Sequence, residues 1–120
     1  MILTLDHIQI TAPIGREDEC RKFWGDLLQL QEIEKPKELR DNGGCWFTIG
    51  SIDLHIGIEE PFSPNKKAHP AFQVKDLGAL QAVLTKAGYP IKEATPLPYA
   101  KRFFTTDPFG NRLEFLSLYS

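Results

Sequence analysis

The chain has 120 residues with 14 basic and 16 acidic side chains, and its formal net charge is −2. This balance, with 42% hydrophobic and 25% charged residues, is typical of one globular domain and excludes a protein built mainly to neutralise nucleic-acid phosphate. No apolar run approaches the roughly 20 residues of a membrane span, no secretory signal opens the chain, and two cysteines are too few for a disulfide framework. We therefore expect a cytoplasmic protein without a nucleic-acid or membrane partner.

The chain begins with the pattern of a strand followed by a helix. Residues 2–11 alternate between apolar and polar side chains, as a half-buried strand does. Residues 16–29 then carry apolar side chains at the i, i+3, i+4, i+7 spacing of a helix that packs on a core. A weak strand is predicted over residues 31–35, and a polar loop over residues 36–44.

A hairpin is predicted next, with strands over residues 45–49 and 52–58 joined by a two-residue turn. If Ile49 faces Ile52, directly opposed residues share a face of the hairpin. One face is then apolar and belongs to the core. The other face has the character of a cavity wall and carries Trp46, Thr48, Asp53 and His55.

The second half of the chain repeats this order of elements after a proline-rich, polar linker at about residues 59–68. Residues 68–74 predict a short strand, and Asp76 is a suitable N-cap for the helix that follows. A weak strand over residues 91–94 comes next. The last elements are the two strands of a second hairpin, residues 102–106 and 112–118.

Both halves therefore predict a strand, a helix and three further strands. Such an internal repeat is a signal about the whole fold. We predict a single domain over residues 1–120, with one module at about residues 1–60 and a second at about residues 68–120.

Four side chains are candidates for chemistry: His7, His69, Glu114, and either His55 or Asp53 on the first hairpin. Alone, each is more readily explained as a hydrogen-bonded or solvated residue. Their combination favours a site, because the repeat gives His7 and His69 matching positions near the start of each module. The apolar residues on the opposite face of each first strand turn both imidazoles away from the core.

Four short segments have a distinctive order of residues: LDHI at 5–8, FWGDLLQL at 23–30, AHPAF at 68–72 and DPFGNRLEF at 107–115. In these segments the chain resembles the vicinal oxygen chelate superfamily, which includes glyoxalase I, fosfomycin-resistance transferases, bleomycin-resistance proteins and extradiol dioxygenases. The resemblance covers essentially the whole chain. It implies an α+β fold in which two βαβββ modules form curled mixed sheets around a central cavity.

The resemblance also implies a metal site. Metal-binding members take a His from the first strand of each module and a Glu from the last strand, and these positions are His7, His69 and Glu114 here. Two imidazoles and a carboxylate suit Zn, Ni, Mn, Fe or Co and leave positions open for a substrate oxygen. In glyoxalase-like members the Glu ligand also moves the substrate proton, and a fourth ligand comes from the first module. Asp53 or His55 could fill that fourth position, or neither.

Three further side chains are candidates for substrate contact. Trp46 is either a stacking wall or an aromatic residue that fills the cavity mouth. Arg102 and Phe104 share the face of Glu114 if the second hairpin loop has an odd length, and they would then offer an anion clamp and a stacking surface. The alternative for Arg102 is a surface charge bordering the cavity.

By this resemblance the protein is a homodimeric, glyoxalase I-like lyase, isomerase or transferase that acts on a small oxygenated, metal-chelating substrate. The alternative is a metal-free protein of the bleomycin-resistance type that sequesters a small molecule. Extradiol dioxygenases usually need two paired modules per chain, and this chain is too short for that. Superfamily membership alone does not choose between the first two functions.

Overall fold

Each half of the chain folds into its own four-stranded sheet. The computed structural model describes all 120 residues, which form a first unit, Met1–Pro64, and a second unit, Asn65–Ser120. No helix in either unit has the length and apolar character needed to cross a membrane.

The first unit contains one mixed sheet and one principal helical segment. In it β1 runs parallel to β4, the other strand pairs are antiparallel, and the strand order is β1-β4-β3-β2. These elements are β1 (His7–Ala12), α1 (Glu17–Cys20), β2 (Gln31–Ile33), β3 (Cys45–Ile49) and β4 (Ile52–Ile58).

The second unit has the same topology, with strand order β5-β8-β7-β6 and a single parallel pair, β5 with β8. Its elements are β5 (Ala71–Gln73), α2 (Leu77–Lys86), β6 (Lys92–Glu93), β7 (Ala100–Thr106) and β8 (Arg112–Leu118). The structure thus confirms the predicted repeat and the α+β class with two βαβββ modules.

The helical segment of the first unit is held by its apolar stripe. Cys20, Phe23 and Trp24 are each 1% exposed, so the predicted core-facing side is buried. After α1 the segment continues as a π-helix over Arg21–Leu27, and the amide of Leu28 donates to the carbonyl of Phe23. The helix of the second unit begins as predicted, because the Asp76 carboxylate accepts a hydrogen bond of 3.0 Å from the amide of Ala79.

The register of the first hairpin is the predicted one. Ile49 lies opposite Ile52, and Trp46 lies opposite His55. On the apolar face, Phe47 and Leu54 are completely buried. A two-residue turn leaves only one register between the strands, and therefore the turn chemistry was sufficient to assign both faces.

Both first strands are shorter than predicted. The strand expected over residues 2–11 begins only at His7. His7 pairs with Asp53, and β4 itself begins at Ile52, directly after the turn from β3. Residues before His7 therefore have almost no neighbouring strand with which to pair. The strand expected over residues 68–74 is limited to Ala71–Gln73. Pro70 has no amide hydrogen to donate to a ladder, so His69 lies before the strand rather than in it.

Three smaller predictions also needed correction. The stretch expected to be a polar loop, residues 36–44, contains a 3-10 helix over Lys37–Asn42. The weak strand expected over residues 91–94 is the two-residue strand β6. The second hairpin is longer than predicted at one end, because β7 already begins at Ala100.

Candidate functional site

The polar face of the first sheet carries a stack of three aromatic rings. The rings of Trp46 and His55 lie 3.6 Å apart between centroids, at an interplanar angle of 3°. The ring of His7 covers the other side of His55, with centroids 4.1 Å apart and an angle of 19°. Strand pairing sets up this arrangement, since Trp46 lies opposite His55 on one side and β1 lies beside β4 on the other.

The two histidines of this stack differ in their surroundings. His55 is only 6% exposed. Burial lowers the pKa of His55, and the neighbouring His7 lowers it further, so the neutral ring is favoured in the centre of the stack. The side chain of His7 is 43% exposed, and its Nδ1 lies 2.8 Å from a carboxylate oxygen of Asp6.

The second unit places His69 beside Glu114. His69 Nε2 lies 2.9 Å from Glu114 Oε1, and the Glu114 side chain is 7% exposed. Its other oxygen, Oε2, lies 3.4 Å from an Arg102 guanidinium nitrogen. The ring of Phe104 meets the His69 ring edge to face, with centroids 5.2 Å apart. We call these four residues the Glu114 cluster.

The cluster contains both predicted substrate-contact residues of the second unit. Thr106 pairs with Arg112 and Phe104 pairs with Glu114, so the hairpin loop spans the five residues 107–111. An odd loop length was the condition for the predicted placement of Arg102 and Phe104, and both residues do lie on the face of Glu114.

In both histidines that were predicted to bind a metal, the ring nitrogen Nδ1 faces a hydrogen-bond acceptor. Nδ1 of His69 lies 2.9 Å from the backbone carbonyl oxygen of Lys67, and Nδ1 of His7 faces the Asp6 carboxylate. A carbonyl oxygen and a carboxylate only accept, so Nδ1 is the protonated nitrogen in each ring. In metal sites a neighbouring acceptor fixes the histidine tautomer in this way and the other ring nitrogen is the ligand; in His69 that nitrogen, Nε2, faces the Glu114 carboxylate.

The spacing within the Glu114 cluster fits two neighbouring metal ligands. Metal bonds of about 2.1 Å to nitrogen and oxygen, at a right angle, put the two donor atoms about 3 Å apart. The 2.9 Å between His69 Nε2 and Glu114 Oε1 agrees with this value. In neither unit do three or more His, Cys, Asp and Glu side chains form a group that could hold a metal ion.

The loop between β7 and β8 is organised by the buried carboxylate of Asp107. The Asp107 carboxylate accepts hydrogen bonds of 2.9 Å from the amides of Phe109 and Asn111, and one of 2.8 Å from the Asn111 side chain. Asp107 is 3% exposed, and this burial raises the pKa of its carboxyl. The Asn111 side chain also accepts a hydrogen bond of 3.1 Å from the amide of Asn65. The motif at 107–111 thus fixes the start of β8.

Strand pairing shows that corresponding residues of the two units occupy equivalent positions. His7 pairs with Asp53, two residues before His55, and His69 stands two residues before Ala71, which pairs with Glu114. By this count His55 is the counterpart of Glu114. Since Trp46 lies opposite His55 and Phe104 lies opposite Glu114, these two aromatic residues also correspond.

Two cationic residues on this face were missed as site residues by the sequence analysis. Arg112 stacks on Phe104, with its guanidinium carbon 3.9 Å from the ring centroid, and Lys92 pairs with Phe104 across β6 and β7. The strand register could have identified both residues. Within the second hairpin it places Arg112 on the face of Glu114, and extended to β6 it places Lys92 on the same face.

The fold and these paired modules define a class of protein, and comparison with known proteins gives the same class. Residues 4–115 match the family model of the Glyoxalase/Bleomycin resistance protein/Dioxygenase superfamily. The chain belongs to this superfamily. No curated protein matches it by sequence.

Solved structures of related proteins agree with this assignment. A crystal structure of a protein assigned to the glyoxalase family, from Bacillus anthracis, is 43% identical with a TM-score of 0.93, and the match covers 99% of this chain and 98% of that one. Lactoylglutathione lyase from Agrobacterium tumefaciens is 15% identical with a TM-score of 0.74, over 95% and 92% of the two chains.

A third similar structure contains a metal. It is the E126Q variant of the fosfomycin resistance protein FosX from Listeria monocytogenes, in complex with Mn(II) and 1S,2S-dihydroxypropylphosphonic acid. This protein is 17% identical to the present chain with a TM-score of 0.82, over 99% and 95% of the two chains. At such identities the likeness of the last two proteins concerns the fold.

Proposed function

We propose that this protein is a divalent-metal-dependent enzyme in which His7, His69 and Glu114 are metal ligands. Its reaction would be that of a glyoxalase-like lyase, isomerase or transferase on a small substrate that chelates the metal through adjacent oxygens. The metal would be Zn, Ni, Mn, Fe or Co, since two imidazoles and a carboxylate suit these ions.

The observation that carries this proposal is the contact between His69 and Glu114. His69 Nδ1 donates to the Lys67 carbonyl, so in the neutral ring Nε2 carries a lone pair that faces the carboxylate 2.9 Å away. Two acceptors at this distance need a positive charge between them, which is either a proton on Nε2 or a metal ion. A metal ion satisfies both atoms at the spacing of neighbouring ligands.

A bound metal ion supplies Lewis-acid chemistry by polarising a substrate oxygen. The other tasks belong to side chains of the chain itself. We propose that the buried Glu114 carboxylate moves the substrate proton and that Arg102, 3.4 Å from its Oε2, keeps the carboxylate oriented. Phe104 and Trp46 would provide apolar walls for the substrate.

A fourth ligand, if the site uses one, is better assigned to His55 than to Asp53. His55 is the counterpart of Glu114 in its own unit, and it is 6% exposed. Asp53 pairs with His7 in the backbone register, two residues before that position.

The test is metal analysis of protein purified without a histidine tag, followed by reconstitution with Mn²⁺ and Zn²⁺. We expect about one equivalent per chain, and a loss of affinity of at least about tenfold in His69→Ala. Asp53→Ala is the matched control and should retain the affinity. Less than about a tenth of an equivalent after reconstitution, or unchanged affinity in a folded His69→Ala variant, would refute the proposal.

One observation favours a second function, metal-free binding of a small molecule. Arg102 lies close enough to the Glu114 carboxylate to compensate part of its charge without a metal ion. Under this alternative a ligand would bind equally well to protein treated with a chelator, and no turnover would accompany it.

We also propose that the protein works as a cytoplasmic homodimer. The N-terminal segment supports a second copy as partner, because Met1, Ile2 and Leu3 are almost fully exposed apolar side chains. Light scattering coupled to size-exclusion chromatography should give twice the mass of the chain. A mass of one chain at micromolar concentration would contradict the dimer.

A further inference from the structure

A cavity of about 230 Å³ opens on the second unit next to the Glu114 cluster. Strand pairing places it on the same face of the sheet, because Lys92 pairs with Phe104 and Phe104 pairs with Glu114. Its lining residues are Pro90, Lys92, Phe104, Thr105, Thr106 and Arg112.

The cavity holds two cationic side chains without an acidic partner. Neither Arg112 nor Lys92 has a carboxylate within ion-pair distance, whereas Arg102 on the same face is paired with Glu114. The one polar contact of the Arg112 side chain is a long hydrogen bond of 3.4 Å to the carbonyl oxygen of Lys66. Most of the donors of this guanidinium thus have no partner in the protein.

The Arg112 guanidinium is also held in place before any ligand arrives. Its central carbon lies 3.9 Å from the centroid of the Phe104 ring. Stacking on an aromatic face leaves the N–H edge of a guanidinium available for a bidentate contact with an oxyanion. A preorganised side chain loses less conformational entropy when the ligand binds.

We propose that this cavity binds the oxyanion of a small organic acid, with Arg112 and Lys92 as its anchors and Phe104 and Pro90 against its apolar part. The oxyanion is a carboxylate or a phosphoryl group, since both match the guanidinium fork. This inference rests on the proposed function only in identifying the bound acid with the substrate of the enzyme. The anchoring itself requires no metal ion.

The experiment is a calorimetric or NMR titration of chelator-treated full-length protein at low salt with three probes of one ring size: benzoate, phenylphosphonate and benzyl alcohol. We expect at least one acid to bind with a dissociation constant of about 1 mM or lower, and at least tenfold more tightly than the neutral alcohol. The tighter acid identifies the oxyanion class. Binding of neither acid above the level of the alcohol would overturn the proposal.

Variants locate the site. Arg112→Gln should weaken acid binding by at least about tenfold, and Lys92→Gln by about threefold. Lys101→Gln is the matched control, because Lys101 is an exposed strand lysine of the same sheet on its opposite face. An equal loss in Lys101→Gln would show a non-specific charge effect and overturn the proposal. Should Arg112→Gln fail to fold, Lys92→Gln against Lys101→Gln still decides.

The two proposals fail separately. Acid binding that survives in a protein with no affinity for Mn²⁺ or Zn²⁺ refutes the metal-dependent enzyme and retains the anion site. A metal-loaded protein that binds neither acid above the alcohol refutes the anion site alone.

Discussion

The two units share a backbone plan but place different chemistry on it. In the first unit, His55 is stacked between His7 and Trp46. In the second unit, the equivalent position is Glu114, whose Oε1 lies 2.9 Å from Nε2 of His69. An imidazole at this position adds a flat ring to a stack, whereas a carboxylate adds a negative charge that needs a cation or proton. The residue at this one equivalent position therefore determines which unit carries a negative charge that a cation or a proton must balance.

A second difference lies two residues before Trp46 in the first unit and two residues before Phe104 in the second. Counting back from Trp46 and Phe104, the counterpart of Arg102 in the first unit is Gly44. Gly44 has a φ of 82°, and a Cβ built on it would lie 2.0 Å from the carbonyl oxygen of Ile56. No side chain fits there, and so the first unit cannot present a guanidinium beside its central position.

The largest expected effect comes from breaking this difference with Gly44→Ala. A left-handed non-glycine residue and the contact with the Ile56 carbonyl should together cost about 3 to 5 kcal/mol of unfolding free energy, measured by denaturant titration. Gly50→Ala is the matched control, because Gly50 also has a positive φ of 57° but nothing within 4 Å of its built Cβ. It should cost only about 1 kcal/mol. Equal losses would contradict the steric account.

The turns of the two hairpins differ as well, and Asp107→Ala tests this. Losing three hydrogen bonds to a buried carboxylate should cost about 2 to 3 kcal/mol of unfolding free energy. Because burial raises the pKa of Asp107, its contribution is complete at acid pH and falls as the pH rises through that pKa. The free-energy difference between wild type and variant should therefore shrink from pH 3.5 to pH 7. A difference that grows with pH would contradict this assignment, and the exposed Asp41→Ala serves as control.

Glu17 in the first unit should show the opposite pH dependence at a smaller amplitude. Its carboxylate accepts a hydrogen bond of 2.9 Å from the amide of Gly44, which lowers the pKa of Glu17. The stabilisation is present above the usual glutamate pKa and is lost as the pH falls. Glu17→Gln should cost about 1 kcal/mol near pH 7 and almost nothing at pH 3, measured by denaturation at each pH. An undiminished cost at pH 3 would show that charge is not involved.

Much of this comparison could be predicted from the sequence because short turns restrict register. The two-residue turn predicted that Trp46 and His55 share a face. For Arg102 and Phe104 the sequence provided only a condition, an odd length of the second hairpin loop, and the structure meets it with the five residues 107–111. The residues of one face thus follow from counting along the strands.

The remaining features depend on information that counting does not contain. The strand that follows His69 starts late because Pro70 has no amide hydrogen for the ladder, and β1 begins only at His7, which pairs with Asp53 near the start of β4. The stack of His7, His55 and Trp46 depends on side-chain rotamers, which register leaves open. The stacking of Arg112 on Phe104 was missed for the same reason.

The central claim is that Nε2 of His7 and of His69 binds a metal ion, and imidazole nitrogen NMR tests it most directly. The chain has three histidines, so each ring can be followed in a long-range nitrogen–proton spectrum. On adding one equivalent of Zn²⁺, the Nε2 resonances of His7 and His69 should move to the metal-bound position while their Nδ1 atoms stay protonated. A Zn²⁺ titration that leaves both Nε2 resonances unchanged would contradict the account.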